Sequence, residues 1–165
     1  MNGRIALGLS VLLNIGLGVL LTMVIREEAD INTQERQQYQ AAVYFLDAGL
    51  SELEGRHAEG ADRMNRLKEA DRHLLVALEN FKAVAPLLSE RKIDDGSVLN
   101  LVGDAERVTN KVLSDLIYNK PQDPKDEQVL AEVADRLGKA VELLPRQELP
   151  EQKQAEAVNQ ALRGE

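Results

Sequence analysis

The order of apolar and charged positions divides the chain into two unequal parts. The first is the run Ile5–Ile25, which contains no charged side chain and is bounded by Arg4 and Arg26. As a helix it spans roughly 31 Å, which matches the hydrocarbon core of a bilayer, about 30 Å thick. The rest of the chain is rich in charge, has helical periodicity and contains no second run of this kind. The pattern predicts a transmembrane anchor in residues 1–26 followed by a folded domain.

Two other interpretations of the apolar run remain open. A cleaved signal peptide is disfavoured, because its apolar region is usually about 7–15 residues long and ends in a small-x-small site. Gly16 and Gly18 form such a pair, but cleavage there leaves the apolar segment 19–25 exposed. A buried core helix requires a partner that the amphipathic remainder does not offer. The run holds seven Leu, three Ile and three Val, together favourable for insertion by roughly 4–8 kcal/mol, so we favour an uncleaved span.

The flanking charges give a slight orientation bias. Arg4 and the terminal amine precede the span, and Arg26 follows it. Because the positive-inside rule counts Lys and Arg, and because few residues precede the span, we predict the N-terminus inside. The protein is then a single-pass protein of the cell membrane, with the bulk of the chain on the extracytoplasmic side.

Small and weakly polar residues recur every four positions within the predicted span. On a helix this spacing forms a slowly winding stripe that lets a second helix approach closely, and an Asn can hydrogen-bond across the contact. We therefore predict a contact with a partner's transmembrane helix, or with a second copy, through Ala6, Ser10, Asn14, Gly18 and Thr22.

Residues 27–145 contain four segments with helical periodicity. The first places apolar residues four and three apart, at Tyr39, Val43, Leu46, Leu50 and Leu53. The second places Met64, Leu67, Leu74, Leu78, Phe81 and Ala85 on one face, and Pro86 disfavours its continuation. The heptad phase survives Gly55 and Gly60, so residues 33–85 form either a hairpin or one long helix; we favour the hairpin.

The third segment follows a loop at residues 92–96 and ends near Asn119, with Ser97 as its predicted cap. Asp123 and Pro124 suit the N-cap and first residue of the fourth segment, which stops at Pro145. The predicted inward residues of the third and fourth segments are Val98, Leu101, Val102, Ala105, Val108, Val112, Leu116, Leu130, Val133, Leu137, Ala140, Val141 and Leu144.

Matched lengths and short connections favour an all-α fold, an antiparallel four-helix bundle with up-down-up-down topology. Residues 146–165 form a short C-terminal helix or a frayed tail, with Val158 and Leu162 facing the bundle.

The composition narrows the class of partner. Apart from Arg4 and Arg26, 18 Lys and Arg stand against 28 Asp and Glu, a net charge of −10, which argues against binding nucleic acid. The chain has no Cys and no Trp, which excludes disulfides and thiol catalysis. Few aromatics beside a high content of charged and aliphatic residues are typical of helical bundles.

Most of the side-chain arrangements that would make this an enzyme are missing. His57 and His73 lack the spacing of helical metal sites, and Asp94–Gly96 lacks the distal Glu of a calcium loop. Asp71 is the exception among the carboxylates, because it falls on the apolar seam between Leu67 and Leu74. It marks a possible polar layer of the bundle or an edge position facing water. We predict no catalytic residue, no metal ligand and no cofactor.

In outline, the architecture resembles the ectodomains of bacterial chemoreceptors and sensor kinases. Those receptors have a second span and a cytoplasmic signalling region, which the pattern here does not show, so we assign no family. The leading hypothesis is a non-enzymatic, membrane-anchored helical bundle that binds a protein partner or a second copy at the extracytoplasmic face. The alternative is a ligand-binding sensor or accessory module without its own signalling domain, with a polar pocket between helices near Asp71.

Overall fold

The computed structural model describes residues 33–146, 148 and 150–164, and this part of the chain is entirely helical. Helix α1 covers 33–54, and a short 3-10 turn, Gly55–His57, separates it from the next helix. The remaining helices are α2, Gly60–Glu90, α3, Asp95–Ile117, α4, Pro124–Leu143, and α5, Gln152–Arg163. The predicted all-α class is therefore confirmed, and Arg36–Glu165 forms one compact unit. None of the described helices is long and apolar enough to span a membrane; the Ile5–Ile25 run lies outside the described residues.

Residues 33–85 belong to two antiparallel helices, the hairpin that we favoured, and not to one long helix. Helix α1 ends before Gly55, and Gly60 opens α2 with a φ of +60°, a conformation that favours glycine. The two helices lie side by side in opposite directions, since Arg66 on α2 lies 3.4 Å from Glu52 near the end of α1. A Cβ on Gly55 would lie 2.6 Å from the Arg66 side chain, so a larger residue at this turn would require that side chain to move.

Contacts between the following helices show that α3 and α4 also run in alternating directions. Asn110 on α3 donates to Asp71 on α2 at 3.3 Å, and Lys111 on α3 pairs with Asp126 at the start of α4 at 2.6 Å. Near the other end of α4, the Tyr39 hydroxyl of α1 donates to the Pro145 carbonyl at 3.0 Å. One end of the bundle therefore holds the α1–α2 and α3–α4 turns, and we call it the α1–α2 end. The opposite end holds the α2–α3 turn and α5, and we call it the α5 end.

The core confirms most of the predicted inward residues. All five predicted α1 positions are buried, as are all the predicted α3 and α4 positions except Leu116, which is partly buried against the core. The seam of α2 differs from the prediction: Met64 is exposed, and Leu78 and Ala85 are partly exposed. The buried residues of α2 are Leu67, Ala70, Leu74, Ala77, Phe81, Val84 and Leu88.

Helix α2 continues past Pro86, where the sequence predicted its end. Proline removes one backbone hydrogen bond, but the following turn buries Leu88 and is closed by a Schellman cap. In that cap Ile93 donates to the Leu88 carbonyl at 3.0 Å and Lys92 to the Ser89 carbonyl at 2.9 Å. Burial of Leu88 and Ile93 outweighs the missing bond, which is why the helix extends to Glu90.

The N-cap of α4 agrees with the prediction from the sequence, and the N-cap of α3 differs from it. Asp123 caps α4 by accepting from the Lys125 N–H, with Pro124 in the first helical position, as predicted. Helix α3 is capped by Asp94, and Ser97 is the donor to it rather than the cap. The side chain of Asp94 accepts from the Ser97 backbone N–H at 3.0 Å and from its hydroxyl at 2.8 Å.

Candidate functional site

A groove lies between α1 and α4. It has a volume of about 490 Å³, with Leu50 and Glu54 on the α1 wall. The α4 wall is made of Ala131, Ala134 and Gly138, spaced three and four apart so that they share one helix face. Small residues on this face leave the groove floor free of long side chains.

Charged side chains border the groove. Glu54, Asp135, Lys139 and Glu142 lie along it, and Lys139 pairs with Asp135 at 2.8 Å. One basic side chain is thus engaged by one of three acidic ones, and the border carries net negative charge.

Gly138 is a glycine whose neighbours among the described residues leave room for a side chain. It lies in the interior of α4, where glycine costs about 1 kcal/mol relative to alanine. A Cβ built at this position would meet no atom within 4 Å. No close packing within the described residues therefore requires its absence, in contrast with Gly55, whose Cβ would clash with Arg66.

A second cavity, of about 630 Å³, opens at the α1–α2 end. Apolar lining comes from Ala58, Leu116 and Pro124, and polar lining includes Arg63 and Gln122. Gln122 lies in the α3–α4 turn, which is shaped by a Schellman cap on α3: Lys120 donates to the Asp115 carbonyl and Asn119, with a φ of +51°, to that of Leu116.

Several polar atoms at this cavity are buried without a hydrogen-bond partner among the described residues. They are both amide atoms of Gln122, Oε1 and Nε2, and Nε of Arg63. The Nη2 atom of Arg63 pairs with Glu127 across the α2–α4 contact. Most buried polar atoms in native proteins are hydrogen-bonded, so these three atoms are exceptions within the described residues.

Asp71 lies at the edge of the α2–α3 contact, half-buried, while the neighbouring Ala70 is fully buried. Partial burial raises the pKa of its carboxyl, and the hydrogen bond from Asn110 opposes that shift. On α3, burial and then repulsion from Asp71 raise the pKa of Glu106. The two carboxylates form a small acidic pair on the outer surface, and neither borders the cavities described above.

The two histidines do not come together. His57 lies exposed in the 3-10 turn at the α1–α2 end. His73 is half-buried beside Phe45, with ring centroids 5.9 Å apart. Residues 33–164, as far as they are described, contain no group of three His, Cys, Asp or Glu placed to hold a metal.

The structure adds residues that the sequence did not single out. The predicted transmembrane stripe, Ala6, Ser10, Asn14, Gly18 and Thr22, lies outside the described residues. Gly138 carried a readable signal, because glycine between Leu137 and Lys139 interrupts an otherwise favourable helix. Gln122 carried none, since its significance depends on which buried atoms surround it after folding.

Comparison with protein-family models, with curated proteins and with solved structures found no match.

Proposed function

We propose that this is a non-enzymatic, single-pass membrane protein whose helical domain binds a basic helix of another protein at the extracytoplasmic face. Under this proposal, Ile5–Ile25 spans the membrane, its N-terminus is inside, and an antiparallel four-helix bundle follows. The observation that carries the proposal is Gly138, a helix-interior glycine that lines the groove and whose built Cβ meets no atom of the described residues within 4 Å.

The shape of the groove favours a helix as its occupant. Helices pack with axes about 8–10 Å apart, and the closest approach needs small residues at the contact. Ala131, Ala134 and Gly138 supply such a face on α4, and Leu50 supplies an apolar wall on α1. A helix that presents a ridge of larger apolar side chains fills this space.

The charge at the groove border favours a partner with Lys or Arg beside that ridge. Glu54 and Glu142 border the groove together with the Asp135–Lys139 pair. Complementary charge raises the association rate and excludes partners of the wrong sign. A second copy of the chain would bring another net −10 outside its anchor, so the proposal commits to a different protein.

The test is photo-crosslinking in intact cells, followed by mass spectrometry. A photoreactive amino acid replaces Gly138 in one variant and Gly103, an interior glycine of α3, in the control. We expect a discrete adduct from position 138 that is absent from position 103, and a partner peptide that is helical in pattern and basic. The double substitution Glu54→Lys with Glu142→Lys should reduce the adduct severalfold.

Two results would overturn the proposal. One is an adduct formed equally well from both positions, and the other is an adduct that survives the charge reversal unchanged. An adduct with the chain's own copy would replace the proposal with self-association through the groove.

The transmembrane contact requires a separate test. Asn14→Leu with Gly18→Leu should weaken association in the membrane, because both positions lie on the small-residue stripe. Gly8→Leu with Gly16→Leu is the matched control, since both glycines lie off the stripe. If the first pair leaves co-purification unchanged, the stripe has no part in association.

A further inference from the structure

The α1–α4 groove and the cavity at the α1–α2 end follow one another along one face of α4. Successive residues of a helix are turned by about 100° around its axis, so residues three and four apart share a face. The α4 residues that line the two cavities at this spacing stand within an arc of about 80°. They are Pro124 and Glu127 in the cavity and Ala131, Ala134, Gly138 and Glu142 in the groove.

The wall opposite α4 passes from the groove to the cavity in the same way. Glu54, the last residue of α1, lines the groove. His57, three residues later in the 3-10 turn, lines the cavity. On α4 the boundary falls between Glu127 and Ala131, which differ by a rise of about 6 Å. The two lined surfaces are therefore separated by about one helical turn.

The combined length of this surface suits a longer helix than the groove alone does. Along α4 the groove extends from Ala131 to Glu142, about 16 Å or three turns. With the cavity the surface begins at Pro124 and extends for about 27 Å, or five turns. Helices shorter than about 12–15 residues are marginal by themselves in water, so a five-turn partner helix is the better-formed occupant.

The cavity also adds apolar surface to the site. In the groove the large apolar side chain is Leu50, beside the small residues of α4. The cavity contributes Leu116 from the end of α3 and Pro124 from the start of α4. Because the free energy of apolar contact grows with the area removed from water, a helix that covers both cavities gains more than one confined to the groove.

The charge along the surface keeps one sign. Glu142 and Glu54 border the groove, and Glu59 continues the acidic border at the cavity. Glu127 is already paired with Arg63, so it adds little to the attraction. Basic residues placed along one side of a partner helix therefore meet carboxylates at both cavities.

We infer that the α1–α4 groove and the cavity at the α1–α2 end form one binding site for a single amphipathic helix of about five turns, with basic residues beside its apolar ridge. This inference rests on the proposed function, because the partner's contact with the groove is part of it.

The experiment is photo-crosslinking of the full chain in intact cells, with a photoreactive amino acid at His57 in one variant and at Gly138 in another. His57 is exposed and lines the cavity. We expect both positions to form an adduct with the same partner protein. Since Gly138 lies about 11–14 residues along α4 from the cavity, the two crosslinked partner residues should lie roughly 10–14 positions apart in one helical segment.

Lys125 is the matched control position at the same end of the bundle. It is exposed in the first turn of α4, and it stands about 100° from Pro124 on the side away from Glu127. A photoreactive amino acid at position 125 should give no adduct with this partner.

The substitution Glu59→Lys tests whether one helix occupies both cavities. Glu59 is exposed and lines the cavity at the α1–α2 end. Reversal of this charge weakens the hold on the whole helix, so the adduct from position 138 should also fall severalfold. Glu156→Lys, at an exposed position of α5, makes the same charge change and should leave that adduct unchanged.

The outcomes separate this inference from the proposed function. An adduct from position 138 without one from position 57 overturns the inference alone, because the partner then ends within the groove. The inference is also overturned if position 57 captures a different protein, if position 125 captures the same partner equally well, or if Glu59→Lys leaves the adduct from position 138 unchanged. Absence of a discrete adduct from position 138 removes the proposed function and the inference together.

Discussion

Two side-chain amides, one at each end of the bundle, have opposite surroundings. At the α5 end, Asn159 accepts from the Asp94 N–H at 2.9 Å and donates to the Lys92 carbonyl at 3.0 Å. At the α1–α2 end, Gln122 has a partner for neither amide atom among the described residues. Both residues lie beside a turn between helices, so the difference is in what the surrounding residues supply.

This difference separates a polar side chain that the fold satisfies from one that it leaves unpaired. The amide of Asn159 completes the hydrogen bonding of the α2–α3 turn and attaches α5 to it, so its partners are backbone atoms of the same fold. Gln122 lines the cavity at the α1–α2 end, and its amide atoms are buried without partners among the described residues. A fully buried polar group without a hydrogen bond lowers stability by roughly 1–3 kcal/mol.

The largest expected effect comes from disrupting the attachment of α5. Its inner face is Ala155, Val158, Ala161 and Leu162, and Val158 is fully buried. Val158→Asp should lower the free energy of unfolding by about 3–5 kcal/mol, because it buries a charge without a partner. Urea denaturation followed by circular dichroism measures the change. Val129→Asp is the control on exposed α4 surface, where Val129 is 40% exposed, and equal effects would show that α5 contributes no packing.

The second expected effect isolates the satisfied amide itself. Asn159→Ala should cost about 1–2 kcal/mol, since it removes two hydrogen bonds and leaves the Lys92 carbonyl unpaired. Amide exchange of Asp94 should accelerate, while Gln160→Ala, at the exposed neighbouring position, should change neither quantity. If the substitution only increases fraying of α5 and does not accelerate exchange at Asp94, then Asn159 does not stabilise the α2–α3 turn.

The third expected effect concerns another hydrogen bond at the α5 end and depends on pH. Tyr39 is fully buried, burial raises the pKa of its hydroxyl, and the hydroxyl donates to the Pro145 carbonyl. A pKa higher in the folded than in the unfolded state means that the folded protein retains the proton, so stability falls as pH rises above about 10. Tyr39→Phe should cost about 1 kcal/mol at pH 7 and should make the decline from pH 9 to pH 11 shallower.

Denaturant titration at several pH values measures both parts of that prediction. Tyr44→Phe is the control, because Tyr44 is 68% exposed and its removal should change neither the midpoint nor the slope. An unchanged alkaline decline in Tyr39→Phe would show that other groups control it.

The amphipathic periodicity was sufficient to predict the helices and most of the core. Tyr39, Val43, Leu46, Leu50 and Leu53 were all found buried because a helix places residues three and four apart on one face. The cap formed by Asp123 before Pro124 was also predicted, because capping depends on hydrogen bonds between residues close together in the sequence.

The errors arose where distant contacts decided the outcome. Helix α2 passes Pro86 because Leu88 and Ile93 are buried, and that burial depends on the rest of the bundle. Spacing left open whether Asp71 forms a polar layer or lies at an edge. In the structure Ala70 is buried and Asp71 lies half-buried at the edge of the α2–α3 contact, a choice that depends on how α3 packs against α2. The unpaired atoms at Gln122 were beyond sequence reasoning, because hydrogen-bond satisfaction is a property of the assembled cavity.

The smallest expected effect has the opposite sign and tests the comparison most directly. Gln122→Met keeps a side chain of similar length but removes both unpaired amide atoms, so it should raise the free energy of unfolding by a few tenths to about 1 kcal/mol. Gln128→Met should leave stability unchanged, because the Gln128 amide donates at 2.8 Å to Glu132 on an exposed face. If Gln122→Met destabilises the protein as much as Asn159→Ala does, then the Gln122 amide has a partner within the fold and the two ends do not differ. If it stabilises the protein, the α1–α2 end retains an unpaired amide at the expense of stability, and the two ends differ as described.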